Sequence, residues 1–241
     1  MRQIPLAIAP VAEPCFDNFL PGPNTALWQH LMELMPTAGD DSGLARPHPV
    51  PPPVYLWGPA GSGKTHLLRA AAHRLHSQGQ ALAWFEAGQA QPWSWSEHWR
   101  WVFIDRCESL DLAAQRSAFA LFVEAAANGA QVMAAGRLPP VDLPLREELR
   151  SRLAWGPVFG MSLLGDADAR TVLRREAEHR GMALPDEVLT YLLSRCARDL
   201  AHLMRLLNAL DDFALVRSRH VTVPLVRALL AEEGLVETVG P

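Results

Sequence analysis

The sequence predicts an α/β fold, a parallel sheet covered by helices, followed by a small all-helical domain. Three observations carry this. From residue 54 to about residue 163, short apolar runs that end in turn residues alternate with helical stretches. Beyond Gly165 no strand pattern remains, and four helical stretches follow. The chain also has the means to bury such a core. Its 241 residues are 49% hydrophobic, enough for one large domain or a main domain with a small satellite.

The elements follow in order. QIPLAI, residues 3–8, is an apolar hexapeptide headed by Gln3. Pro5 bars a helix there, and six residues are too few to span a membrane. Residues 10–23 are broken by four prolines and read as loop. Asn24-Thr25 is predicted to cap a helix running to about Met35. Residues 36–53, rich in Pro, Gly and Ser, are a surface loop. VYLWG (54–58) is a buried strand that ends in a glycine-rich turn, and a helix runs from Lys64 to about Ser77. ALAWFEA (81–87) and WVFID (101–105) are the second and third strands, Leu112 to Asn128 is a helix, and QVMAAG (131–136) is the fourth strand. VFGMSL (158–163) is the fifth. Strands interleaved with helices mean a parallel sheet with both faces covered. The remaining helices are expected at about 166–180, 185–196, 198–217 and 222–233.

Composition narrows the function. Lys and Arg total 22 against 26 Asp and Glu, a net charge of −4, which argues against an overall electrostatic grip on nucleic acid. Cys15, Cys107 and Cys196 are widely spaced and odd in number, as expected of reduced thiols in a cytoplasmic protein. No secretion signal and no long apolar run is found, so no membrane partner is expected. His66, His98 and His179 show no metal-ligand spacing, and the nine histidines are read as structural or surface. QPWSWSEHWRW holds Trp93, Trp95, Trp99 and Trp101. It is read as packing that closes the sheet edge, in preference to a platform for stacking single-stranded bases.

GPAGSGKT, residues 58–65, fits G-x-x-x-x-G-K-[ST] and lies between a predicted strand and helix. Gly61 and Gly63 let the backbone curl so that successive N–H groups face phosphates, with a helix N-terminus behind them. Lys64 is expected to reach the β- and γ-phosphates, and Thr65 to coordinate Mg²⁺. Asp105, closing WVFID, stands where such a site needs an acid for Mg²⁺. The expected nucleotide-binding set is thus Gly58, Gly61, Ser62, Gly63, Lys64, Thr65, His66 and Asp105, with ADP or ATP and Mg²⁺ as ligands. The residue after Asp105 is Arg106, and Glu108 comes two positions later. A cation cannot orient an attacking water as an acid does, so good binding and poor turnover are expected.

Six segments carry a resemblance: FDNFLPGPNTAL (16–27), WGPAGSGKTHLLRAA (57–71), WVFIDRCESLD (101–111), RLPP (137–140), LRSRLAWG (149–156) and ALPDEVLTYLLSR (183–195). In this order they resemble the DnaA-like AAA+ family, and within it the shorter regulators of the Hda type. The resemblance implies a P-loop AAA+ parallel-sheet domain with a helical lid, divided as a clamp-binding segment 1–10, an AAA+ domain 11–164 and a lid 165–241. It also implies roles. Phe16, with Phe19, would wall the adenine side; Arg152 would be an arginine finger offered to another protein's γ-phosphate, with Arg150 the competing choice; Arg198 would be the lid's nucleotide sensor. Gly136 stands where the family often has a polar sensor, which again implies slow intrinsic hydrolysis. QIPLAI resembles a clamp-binding motif, in which Gln3 would bond the pocket rim while Ile4, Leu6 and Ile8 bury apolar surface.

The initiator DnaA continues past its lid into a helix-turn-helix domain, which needs about another hundred residues. This sequence ends at Pro241, so a regulator is expected in preference to an initiator. The resemblance therefore implies a protein that docks on the DNA polymerase III sliding clamp (beta subunit), meets DNA indirectly through it, and promotes hydrolysis of DnaA-bound ATP. A homo-oligomer stays open. A helicase-loader-like adaptor acting on single-stranded DNA is the alternative. A small-molecule P-loop kinase comes third, because no acceptor pocket is apparent in the C-terminal helices.

Overall fold

The computed structural model describes residues 13–35, 50–90, 92–195, 200–217 and 219–232. Its contacts divide the described chain into two compact units, one over Glu13–Ser162 and one beginning at Leu163.

The first unit is built on five parallel strands: β1 (Val54–Trp57), β2 (Leu82–Glu86), β3 (Trp101–Asp105), β4 (Gln131–Gly136) and β5 (Val158–Gly160). Their order in the sheet is β2-β3-β4-β1-β5. β3 and β4, each flanked by a strand on both sides, are buried at every residue. This is why both read as unbroken apolar runs. Side chains alternate across the sheet. Val102, Ile104, Val132 and Ala134 face a core completed by α3 (Leu112–Asn128) and α4 (Glu147–Leu153). Trp101, Phe103, Met133 and Ala135 face the opposite core, completed by α1 (Thr25–Leu34) and α2 (Lys64–Ser77). Asp111 caps α3 by accepting the Ala114 N–H at 2.8 Å, and Gly129 closes that helix with φ 66°.

The tryptophan cluster lies at the sheet edge formed by β2. Trp93 stacks on Phe85 with ring centroids 4.9 Å apart, Trp99 meets Phe85 edge-on at 5.7 Å, and Trp95 meets Trp99 likewise. These rings pack on the core and are not laid out as an open platform.

Two expectations are corrected. Asn24 does not cap α1 with its side chain. Its amide reaches across to the end of β5, donating to the Ser162 carbonyl at 3.0 Å and accepting the Ser162 N–H at 2.9 Å. The fifth strand is also shorter than VFGMSL, ending at Gly160. The chain goes on with Met161 N–H bonded to the Trp57 carbonyl, and Asn24 then supplies the next partner in place of a strand.

The second unit is all helical: α5 (Asp166–His179), α6 (Asp186–Arg195), α7 (Leu200–Arg217) and α8 (Val223–Glu232). Leu173, Leu189, Leu192, Leu207, Leu210 and Val226 form its core. Glu176 and Arg180, one helical turn apart, form an ion pair at 2.7 Å with both side chains largely buried. Among the described residues no helix is long and apolar enough to cross a membrane.

Candidate nucleotide-binding site

The glycine-rich turn between β1 and α2 has the backbone that the motif requires. Gly61 and Gly63 adopt φ 79° and 94°, in the left-handed region, and Gly63 leads directly into α2. A side chain at Gly63 has no room. Its Cβ would sit 2.9 Å from the Phe19 ring, so the aromatic edge rests against the turn itself. Phe16, by contrast, is enclosed in the core at 7% exposure, with the Arg74 guanidinium over its ring. Of the two phenylalanines, it is Phe19 that touches the loop.

His66 joins these pieces. Its Nε2 lies 3.1 Å from the Cys15 carbonyl, and its ring centroid is 5.6 Å from that of Phe19. Burial pushes the imidazole's pKa below its ordinary value, against the opposing pull of the Cys15 carbonyl.

Lys64 folds its ammonium onto the turn, donating to the Gly58 carbonyl at 2.8 Å, the Pro59 carbonyl at 2.7 Å and Ser62 Oγ at 3.3 Å. Thr65 and Asp105, forty positions apart, are brought together because α2 packs on β3. The threonine hydroxyl donates to Asp105 Oδ2 at 2.7 Å. Asp105 is 3% exposed, and its other oxygen accepts the Arg106 N–H at 2.9 Å. A buried carboxylate with both oxygens bonded is fixed in place.

Arg106 holds a left-handed backbone, φ 56°, a conformation that costs a non-glycine residue about 1–2 kcal/mol. Its guanidinium pairs with Glu86 at 3.0 Å. The turn throws the chain into a short 3₁₀ segment, Cys107–Ser109, and brings Glu108 to the end of β4. There Glu108 accepts the Arg137 N–H at 3.1 Å and lies 3.4 Å from the Arg137 side-chain Nε. Cys107 is fully enclosed, and burial drives its thiol well above the usual range.

The glycine at the end of β4 has a physical reason. A Cβ at Gly136 would overlap the Tyr55 hydroxyl and stand 3.2 Å from Glu108 Oε2. Tyr55 is completely buried and donates to the Leu138 carbonyl at 2.9 Å. Space that a polar side chain at 136 would need is thus filled by a phenol from β1. Tyr55 was not singled out in the sequence. The available signal was one hydroxyl-bearing residue in an otherwise apolar strand, two strand positions away from an unexplained glycine.

The two candidate fingers differ sharply. Leu149 and Leu153 anchor α4 in the core, which leaves Arg150 and Arg152 toward its outer side. Arg150 Nη1 donates to the Val141 carbonyl at 2.9 Å. The Arg152 guanidinium, half-buried, makes no hydrogen bond or ion pair among the described residues. Gln3, Ile4, Leu6 and Ile8 lie outside the described residues, as does Arg198.

Comparisons with known proteins agree with this architecture. Residues 166–230 match the family described as "Hda, lid domain". A Haemophilus influenzae protein described only as uncharacterized is 29% identical over 238 residues, spanning 95% of this chain and 98% of that one. Domain III of the replication initiation protein DnaA from Thermotoga maritima superposes with a TM-score of 0.75 at 18% identity, covering 93% of this chain and 98% of that domain. AMPPCP-bound DnaA from Aquifex aeolicus gives a TM-score of 0.62 at 19% identity, over 81% of this chain and 65% of that one. The chain thus has the fold of DnaA domain III, and its residues 166–230 carry the sequence of the Hda lid domain.

Proposed function

We propose that this protein is a nucleotide-bound regulator that, anchored on the DNA-loaded sliding clamp, inserts Arg152 into the ATP site of DnaA and promotes hydrolysis there. The observation that carries this is the contrast in α4: Arg150 is committed to Val141, whereas the Arg152 guanidinium has no partner among the described residues. An arginine finger stabilises charge on the transferring phosphoryl group and is worth on the order of 10³–10⁵ in rate. Gln3, Ile4, Leu6 and Ile8 would supply the anchor, which raises the local concentration of the finger near DnaA on DNA.

The protein's own site would hold ADP or ATP. The turn Gly58–Thr65 offers backbone N–H groups and Lys64 to the phosphates. Thr65 and Asp105 form a pair of hard oxygen donors 2.7 Å apart, which suits Mg²⁺. Bound Mg²⁺ would neutralise phosphate charge. Arg198, from the lid, would sense the nucleotide. Slow turnover in this site is supported by Arg106 paired with Glu86 and by Glu108 held at Arg137.

The test is conversion of DnaA-bound ATP to ADP with DNA-loaded clamp and saturating regulator. Wild type should accelerate it and Arg152→Ala should not. Full acceleration by a variant lacking both Arg150 and Arg152 would overturn the trans-finger reading.

A further inference from the structure

Three residues beyond Arg152, the indole of Trp155 is 55% exposed, although tryptophan is among the side chains with most to gain from burial. The two belong to one surface. The Trp155 N–H bonds to the Arg152 carbonyl at 3.3 Å, closing the end of α4. Both side chains line a groove with Val50, Pro53, Phe122 and Val132. None of the described residues lining this groove is acidic, so its single cation is not matched among them.

A groove of apolar wall, exposed indole and unmatched guanidinium has a defined complement. The occupant must present apolar surface to the indole and, beside it, an anion to the arginine. Indole and guanidinium are also the groups most often found to dominate protein interfaces. The indole's few rotatable bonds keep the ordering cost of such a contact low.

From this juxtaposition we infer that Trp155 is the docking residue of the finger surface: it packs on the protein wall beside the partner's bound nucleoside triphosphate and so delivers Arg152 to the phosphates. The inference rests on the finger reading of Arg152 and adds a division of labour. Trp155 governs how tightly the partner is held, and Arg152 governs how fast the held partner reacts.

The experiment titrates full-length chain against ATP-loaded DnaA on DNA-loaded clamp and reads half-maximal concentration and maximal rate separately. Trp155→Ala should raise the half-maximal concentration about tenfold or more and leave the maximal rate near wild type. Trp155→Phe should recover part of the loss. The thermal midpoint and affinity for the chain's own nucleotide should not change. Wild-type titration by Trp155→Ala would overturn the inference, and loss of maximal rate in Arg152→Ala would still uphold the finger. If Arg152→Ala retained full rate while Trp155→Ala shifted only the half-maximal concentration, docking would stand and the finger would fall. Two other occupants would each overturn it. A second copy of this chain would appear as a change in sedimentation of Trp155→Ala with an unshifted titration. Residues 36–49 of the same chain would appear as a lowered thermal midpoint, again with an unshifted titration.

Discussion

Arg150 and Val141 are joined by a hydrogen bond of 2.9 Å from the guanidinium to the backbone carbonyl, which ties α4 to the turn before it. Arg150 is therefore a structural arginine. Arg150→Ala should cost about 0.5–1.5 kcal/mol of stability, seen in urea unfolding, because the bond is lost although water can rehydrate the exposed carbonyl. Arg152→Ala should leave stability nearly unchanged and remove stimulation of DnaA-bound ATP hydrolysis. Arg152→Lys should restore little, since an ammonium lacks the planar fork. A stability loss in Arg152→Ala equal to that of Arg150→Ala would reverse the assignment.

The Thr65–Asp105 pair sets a second expectation. Asp105→Asn can still accept the Arg106 N–H through its oxygen and donate its amide to the Thr65 hydroxyl, but it removes the charge that a metal needs. Mg²⁺-dependent nucleotide affinity should fall about 10- to 100-fold, with the fold intact by circular dichroism. Lys64→Ala should lose nucleotide to a similar or greater degree in equilibrium dialysis. Purified wild type without DnaA should hydrolyse ATP slowly; brisk turnover would contradict the account of Arg106 and Glu108.

Gly136 and Tyr55 compete for one volume, and that makes their substitutions non-additive. Gly136→Ala should destabilise by about 1–3 kcal/mol through overpacking. Tyr55→Phe alone should cost about 1–3 kcal/mol, because the Leu138 carbonyl loses its donor. In the double variant the clash is relieved, so the combined loss in urea unfolding should be clearly less than the sum. Strict additivity would show that the two positions do not meet.

His66 gives the pH dependence. Its folded pKa is depressed, so the unfolded chain takes up the proton first as pH falls. The contribution of the neutral ring to stability is complete above the ordinary imidazole value of about 6.5 and is lost as pH drops below it. Unfolding midpoints measured from pH 7.5 to 5 should decline in wild type. The decline should be smaller in His66→Gln, which cannot titrate. An identical decline in both would assign it to other groups.

The anchor is tested apart from all of these. Replacing Gln3, Leu6 and Ile8 together by Ala should abolish capture by the sliding clamp in a surface-binding assay and leave nucleotide affinity unchanged. Normal capture by the triple variant would remove the segment from the docking account.

Much of this was legible in the sequence, for a physical reason in each case. β3 and β4 were read to the residue because a strand buried on both faces must be apolar throughout, and turn residues bound it sharply. α3 was equally clear, with Asp111 at its start and Gly129 at its end. That Thr65 at the start of α2 meets Asp105 at the end of β3 agrees with the placing of a glycine-rich turn and an acid at the ends of two parallel strands. What the sequence hid depends on contacts between distant positions. Nothing local marks Tyr55 as the tenant of the Gly136 volume. The different surroundings of Arg150 and Arg152 depend on Val141, which lies nine residues from one and eleven from the other. Asn24 has the composition of a helix cap and serves elsewhere because a stronger pair of partners lies within its reach.

That last arrangement makes tolerance to substitution lopsided. Asn24 acts toward Ser162 as a substitute peptide group, offering one acceptor and one donor to a main chain 138 positions away. Both bonds use the backbone of residue 162 and none uses its hydroxyl, so any residue but proline keeps them. At 24 the freedom vanishes. Aspartate has no N–H to give, leucine has neither function, and glutamine places its amide one methylene too far. A single side chain thus writes the last rung of the sheet, and the two ends of that rung answer to opposite rules of variation.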